Sequence, residues 1–347
     1  MPAMRPLVRL TFILTLLLSA GLARASETAT VLQGIAQGAG NTPLALTLVM
    51  PAGKQQPAKG WPALLLIQGS GPTDRDGNQP PHIRTDLLRQ IAEYLAAQGV
   101  ATLRYDKRGM HANNASLPAD ASAYPEFFRW ENFVGDAMAA FRFLAEHPGI
   151  DGSRTGILGH SEGGMIALSA AAQLKPAPAV LVLAATPGRR MDAVIPEQLE
   201  RLLIEQQAPA NQSRALLAAN RRIMETIINT GQVPAEMPRG LAPLYPAYAG
   251  PFLQAFLKLE PASLARSFPG PVLVLQGQGD TQVSAERDAP ALDNAFAARG
   301  PAPHSLRLFP QLSHNFKSRT VPDLSGPVGE EMLRALSEWL GPALGSD

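Results

Sequence analysis

Thr155-Gly156-Ile157-Leu158-Gly159-His160-Ser161-Glu162-Gly163-Gly164-Met165-Ile166-Ala167-Leu168 is the stretch on which the fold turns. Four residues of short-strand character run into Gly-His-Ser-Glu-Gly. An apolar segment of helical character follows and continues through Ala170 to Ala172. A Ser with Gly two residues to either side suits a strained strand-to-helix turn that lifts its hydroxyl clear of the sheet. Glycine is needed at the flanks because a Cβ there would clash in so tight a turn. In a chain with 30 glycines the bare string carries little weight. The strand before it and the helix after it supply the context that gives it meaning.

Working outward, further short β-rich runs alternate with helical patterns. Strands are predicted at Leu44–Met50, Ala63–Gln68, Val100–Tyr105, Gly156–Gly159, Val180–Ala184, Val272–Gln276 and Ser305–Phe309. Leu64-Leu65-Leu66-Ile67 and Val272-Leu273-Val274-Leu275 are unbroken apolar runs, as expected of strands buried on both faces of a mostly parallel sheet. A helix is predicted over Asp86–Gln98, with Leu87, Leu88, Ile91 and Leu95 on one face, Thr85 available as a cap and Gly99 as a stop. A second is predicted over Phe133–Glu146 and is stopped by Pro148-Gly149. Such alternation gives an α/β fold class, a mostly parallel central sheet flanked by helices.

One interval breaks the rhythm. More than eighty residues separate the strand ending near Ala184 from the one starting at Val272. Connections in α/β units are usually far shorter. A helix opening at Asn211 or Ser213 and closed by Gly231 would place Leu216, Leu217, Ile223, Met224, Ile227 and Ile228 on one face. The interval is expected to form a helical cap over one end of the sheet, residues 190–268, inserted between core segments 26–189 and 269–347. The competing expectation is a separate small domain with no part in the site.

A Ser hydroxyl becomes a nucleophile only when a base takes its proton, and a carboxylate must orient that base. On a sheet of this kind the acid and then the base follow the Ser in chain order. Asp280 comes just after the strand Val272–Gln276, and His314 just after the strand ending near Phe309. Both stand at C-terminal strand ends, where open α/β sheets build their sites. The rivals of Asp280 are Asp192, Asp288 and Asp293. His304 precedes its strand, His147 ends a helix, and His82 and His111 lie on loops before the Ser. His160, beside the Ser, is expected to point elsewhere. The oxyanion formed on attack needs backbone N–H donors. Glu162, next after Ser161, offers one. The second is expected from Ser70 in the loop Gln68-Gly69-Ser70-Gly71-Pro72-Thr73-Asp74-Arg75-Asp76-Gly77.

The N-terminus reads as an export signal. Arg5 and Arg9 precede an apolar run from Leu10 to Leu18, and Ala23-Arg24-Ala25 fits a cleavage site. Leu10 to Ala23 is 14 residues, short of the ~20 that span a bilayer. Residues 1–25 are therefore expected to be a signal peptide, removed to leave an exported, periplasmic or secreted protein without a membrane anchor. The 347 residues carry 30 Lys+Arg and 29 Asp+Glu, net +1. Without Arg5, Arg9 and Arg24 the balance is 27 to 29. Neither balance suits a protein held to nucleic acid by bulk charge. With no Cys there is no disulfide, thiol nucleophile or thiolate metal site. No metal-ligand spacing or phosphate-loop motif is present, so neither metal nor cofactor is expected.

Taken together, Gly69-Ser70-Gly71-Pro72-Thr73-Asp74-Arg75-Asp76, Arg104-Tyr105-Asp106-Lys107-Arg108-Gly109, Gly159-His160-Ser161-Glu162-Gly163-Gly164, Gln276-Gly277-Gln278-Gly279-Asp280 and Ser313-His314 make the chain similar to the α/β-hydrolase superfamily from about Leu44 to Leu340. More narrowly it resembles the bacterial serine-esterase branch related to dienelactone hydrolases and prolyl-oligopeptidase-type enzymes. The resemblance implies an α/β-hydrolase fold, a Ser161–His314–Asp280 triad, hydrolysis of small to medium carboxylic esters, and no cofactor. A peptidase or thioesterase using the same triad is the alternative, and a catalytically inactive binding relative a more distant one. Two departures stand out. Gln68 replaces a His found in many relatives, and Met110-His111-Ala112-Asn113 replaces a common Gly-x-Ser. In Asp106-Lys107-Arg108, Arg108 is expected to tie down loops through Asp74 or Asp76, since the Arg fork suits buried carboxylates. The alternative has Lys107 or Arg108 binding an anionic substrate.

Overall fold

A computed structural model describes residues 29–320 and 325–345. The expected export signal, residues 1–25, lies outside them. Eight strands form one sheet: β1 (Ala29–Gln37), β2 (Pro43–Pro51), β3 (Trp61–Ile67), β4 (Ala101–Tyr105), β5 (Ile150–His160), β6 (Leu181–Ala184), β7 (Val272–Gly277) and β8 (His304–Phe309). Their order across the sheet is β1-β2-β4-β3-β5-β6-β7-β8. β2 runs antiparallel to both of its neighbours, and all pairings from β4 to β8 are parallel.

The helices are α1 (Leu87–Gln98), α2 (Tyr124–Phe127), α3 (Trp130–Ala145), α4 (Glu162–Ala171), α5 (Met191–Glu205), α6 (Ala210–Thr230), α7 (Gly250–Lys258), α8 (Pro261–Ser267), α9 (Asp288–Ala297) and α10 (Glu330–Leu344). The apolar run of β3 shows why two layers are needed. Ala63, Leu65 and Ile67 enter one core with Phe133, Ala137 and Phe141 of α3. Leu64 and Leu66 enter the other with Leu88, Ile91 and Leu95 of α1 and Leu336 and Leu340 of α10. A strand alternates its side chains between faces, so a run buried on both must be apolar throughout.

Helix ends follow the local chemistry with small shifts. Gly99 takes φ 89° and closes α1, and Gly231 takes φ 71° and closes α6. These left-handed values suit glycine. α1 begins at Leu87, with Asp86 left-handed before it, and Thr85 Oγ1 accepts from the Leu87 N–H at 3.3 Å. β1 was not foreseen. It pairs only with β2, and Val31 and Ile35 stay 50% and 63% exposed. An exposed edge hairpin needs no apolar alternation to read.

Helices α5 to α8 all fall between β6 and β7. α7 packs on α3, and Phe252 and Phe256 meet Trp130 at 5.6 and 5.3 Å between ring centroids. Among the described residues no helix is long and apolar enough to cross a membrane.

Candidate active site

Ser161 leaves β5 and enters α4 with φ 56° and ψ −122°. A non-glycine residue holds such an angle only where its surroundings enforce it. Here they do. The Ser161 N–H donates to the Ala184 carbonyl at 2.9 Å, and the Ser161 carbonyl accepts from the Gly164 N–H at 2.9 Å. A Cβ on Gly159 would stand 2.2 Å from the Gly163 oxygen, and one on Gly163 would stand 2.3 Å from the Ile67 oxygen. Both glycines are therefore required for α4 to start this close to the sheet.

Asp280 and His314 meet. His314 Nδ1 lies 2.8 Å from Asp280 Oδ2, and both side chains are buried. Oδ2 also accepts from Gln276 Nε2 at 2.9 Å. Oδ1 accepts from the Gln282 and Val283 N–H groups at 2.7 and 2.9 Å. Burial pushes the Asp280 carboxyl up, but the His314 imidazole and these donors outweigh it, and the group is held below the usual carboxylate range. An ionised Asp280 accepts a hydrogen bond from the Nδ1–H, which keeps the proton on that nitrogen and leaves His314 Nε2 as the basic one. Ser161 and His314 line one cavity of about 320 Å³ without a direct hydrogen bond, a looseness common before substrate binds.

His160 has a part that its position in the sequence did not reveal. Its Nε2 lies 2.9 Å from the His314 main-chain oxygen, and the two rings are 4.8 Å apart. Burial and the neighbouring His314 press its pKa down to about 3, against an ordinary 6.5. A neutral His160 can donate to that oxygen, so the residue preceding Ser161 steadies the main chain of His314.

The loop after β3 reaches the nucleophile. A Cβ on Gly69 would stand 3.3 Å from Ser161 Cβ and 3.2 Å from His160 Nδ1. Ser70 and Glu162 line the same cavity as Ser161. The N–H groups of Ser70 and Glu162 have no backbone acceptor, and Glu162, opening α4, has no preceding turn to accept from it. Gln68 donates from Nε2 to the Tyr105 carbonyl at 2.9 Å, while its buried Oε1 has no partner.

Asp106, Lys107 and Arg108 divide three tasks. Asp106 pairs with Arg75 at 2.7 Å. Lys107 Nζ donates to the Gly69 carbonyl at 2.7 Å, to the Gly71 carbonyl at 3.2 Å and to Glu162 Oε1 at 2.9 Å. Arg108 pairs with Asp136, at 2.6 and 2.8 Å, in complete burial. The expectation of Asp74 or Asp76 as its partner is thus corrected. Asp76 pairs instead with Arg104 at 2.9 Å. Asp136 lies on α3, where helical periodicity marks it as one more interior position and nothing in the spacing names its partner. The Met110–Asn113 segment forms a helical turn pinned by Asn113, which accepts from the Ala45 N–H at 2.7 Å and donates to the Asp106 carbonyl at 2.7 Å. His111 Nε2 reaches the Pro72 oxygen at 2.7 Å.

The other carboxylates considered are occupied elsewhere. Asp192 pairs with Arg190 at 2.7 Å, Asp288 with Arg189 at 2.9 Å, and Asp293 lies 3.6 Å from His304. Among the described residues no group of three or more His, Asp or Glu is placed to hold a metal ion.

The Hydrolase_4 family, described as serine aminopeptidase S33, matches residues 84–235. Esterase EstD of Thermotoga maritima is 28% identical over 288 residues, which cover 81% of this chain and 62% of that protein. The chain thus spans a little under two thirds of this curated relative. Est1E from Butyrivibrio proteoclasticus superposes with a TM-score of 0.55 at 16% identity, over 90% of this chain and 99% of its own. The Pyrococcus furiosus esterase Pf2001 gives 0.55 at 15% identity, over 91% and 92%. A Mycobacterium tuberculosis puromycin-hydrolyzing peptidase gives 0.58 at 17% identity, over 92% of this chain and 40% of its own. These solved structures share the fold.

Proposed function

We propose that this chain, which has the α/β-hydrolase fold, hydrolyses small to medium carboxylic esters through an acyl-enzyme on Ser161. The observation that carries the proposal is the 2.8 Å contact of His314 with Asp280 in the cavity onto which the Ser161 turn opens. Ser161 Oγ attacks the acyl carbon as His314 Nε2 takes its proton. The N–H groups of Ser70 and Glu162 receive the oxyanion. His314 then gives its proton to the departing alcohol oxygen as the acyl bond to it breaks. Water, deprotonated by the same nitrogen, attacks the acyl-enzyme, and the acid leaves as Ser161 recovers its proton. Asp280 stays ionised throughout and balances the imidazolium.

The similarity to an esterase from Thermotoga maritima supports ester substrates. The family description supports the peptidase alternative. An aminopeptidase must hold a substrate ammonium, but among the described residues the one acidic side chain lining the cavity, Glu162, is already bound to Lys107. Esters are therefore preferred. Labelling by a fluorophosphonate and hydrolysis of aryl esters, both lost in Ser161→Ala, are the expected results. An unlabelled wild-type protein that cleaves no ester overturns the proposal. Faster cleavage of a matched aminoacyl amide than of its ester favours the peptidase.

Export belongs to the same proposal and rests on the three-part pattern of residues 1–25. Expression in a Gram-negative host should give a periplasmic protein whose N-terminus is Ser26. A full-length cytoplasmic product overturns it.

A further inference from the structure

Two spaces of different chemistry meet beside Ser161. The cavity described above, the more polar of the two, has a mixed lining: Ser161, His314 and the amide side chains of Gln79, Gln198, Gln282 and Asn315 stand with apolar residues such as Leu88 and Met191. Gln282 and Asn315 make no side-chain hydrogen bond among the described residues. The second space is a chamber of about 640 Å³ beneath α5 and α7, walled by Phe128, Phe133, Ile195, Leu199, Tyr248 and Phe252. Its two ionic side chains, Lys107 and Glu162, are bound to each other at 2.9 Å. The chamber therefore offers a large apolar surface and no free charge, as neutral organic groups require. The two spaces share Ser70, Glu162, Met191, Gln198 and Phe256, but Ser161 and His314 line only the more polar one.

The tetrahedral intermediate joins these facts. Its carbon, the former carbonyl carbon, bears Ser161 Oγ, the oxyanion, the leaving oxygen and the first carbon of the acyl chain. The leaving oxygen must lie within reach of His314, which protonates it. His314 faces the polar cavity, so the alcohol occupies that cavity. The chamber touches the oxyanion donors and not the base, so the remaining substituent, the acyl chain, enters it.

Resting on the esterase reading, we infer that the chamber is the acyl subsite. It takes neutral medium-chain or aryl acyl groups, while the amide-lined cavity takes a hydroxyl-bearing alcohol. The acid produced is amphiphilic or aromatic and the alcohol is polar.

Two ester series test this. One varies the acyl group from acetyl to octanoyl on a p-nitrophenol leaving group. The other keeps acetyl and compares hexanol with glycerol. kcat/KM is expected to rise at least about tenfold from acetyl to hexanoyl, since each buried methylene adds a few-fold. Hexyl acetate should show no such gain over glycerol monoacetate. Ile195→Trp, which fills the chamber from α5 and does not line the first cavity, should remove the gain with acyl length, read as the ratio of hexanoyl to acetyl kcat/KM. A flat acyl series in an enzyme that cleaves acetyl esters overturns the assignment while leaving the esterase reading intact. So does a gain with hexyl acetate that Ile195→Trp abolishes, which places the alcohol in the chamber. Cleavage of no ester in either series overturns both. The wild-type series decide the matter even if Ile195→Trp does not fold.

Discussion

The Lys107 ammonium lies 2.7 Å from the carbonyl oxygen of Gly69. That carbonyl belongs to the same peptide unit as the Ser70 N–H. A trans peptide is planar, and its C=O and N–H point in opposite directions. Holding the oxygen on Lys107 therefore aims the N–H away from it. The same ammonium binds Glu162, whose own N–H is the second donor proposed for the oxyanion. One buried cation thus aims the Ser70 donor and ties its loop to the Glu162 side chain at the start of α4.

Lys107→Met is expected to lower kcat by about ten- to a hundredfold with little change in KM, less than the loss of a whole oxyanion donor. The buried Glu162 also loses its counter-charge, so Glu162→Gln is added as a control. The double variant should recover stability without recovering kcat. Recovery of kcat in the double variant would mean that Lys107 serves the fold alone.

Asp280→Asn should keep the fold and lower kcat by about ten-thousandfold. The loss comes through His314, whose Nδ1 then faces a carboxamide that can present N–H in place of oxygen. Steady-state kinetics with matching circular dichroism checks this. Activity near wild type would move the acid elsewhere in the chain.

His160 links pH to stability. Its native pKa is depressed to about 3 against an ordinary 6.5, so between those values the unfolded chain binds a proton that the folded chain refuses. Stability is then complete above about pH 6.5 and falls on acidification, by up to about 1.4 kcal/mol per pH unit. Asp280 is also held low. Its contribution is present above the ordinary carboxylate value and fades below it. Burial raises Asp76 and Asp136, which act in the opposite sense, so the His160 part is read as a difference between variant and wild type. Urea denaturation of His160→Gln between about pH 5 and 6.5 should give a flatter profile than wild type. Parallel profiles would remove His160 as the source.

Arg108→Ala is expected to cost about 3–5 kcal/mol of unfolding free energy, because it strands Asp136 in the interior without its partner. Asp136 also accepts from the Ala39 N–H at 2.9 Å, so the β1–β2 turn should loosen with it. Chemical denaturation reads the first effect, and hydrogen exchange at Ala39 the second. A loss under 1 kcal/mol would show that water replaces the guanidinium.

Much of this architecture could be read from local pattern. Leu64-Leu65-Leu66-Ile67 announces a strand covered on both faces, and Gly159 and Gly163 announce a turn that tolerates no Cβ. What stayed hidden depends on contacts between residues distant in sequence. Lys107 and Glu162 are 55 residues apart, and Arg108 and Asp136 are 28 apart. A charge in a sequence carries no mark of which opposite charge it will meet. The partner of His160 was hidden for a related reason. It is expected to point elsewhere than the reaction, and its Nε2 meets the main chain of a residue 154 positions later.

The ion pairs of α5 differ in kind from those deep in the core. Arg189 binds Asp288 of α9 and Glu197 of α5, and Glu197 also binds Arg287, with Arg189, Glu197 and Arg287 all partly open to solvent. Counter-ions reach such pairs and weaken them, whereas the Arg108–Asp136 pair, sealed from water, is hardly screened. The wall of the acyl chamber formed by α5 is therefore fastened by a salt-sensitive clasp and the base of the catalytic loops by an insensitive one. Raising ionic strength is expected to slacken the attachment of α5 before it touches the Arg108–Asp136 pair.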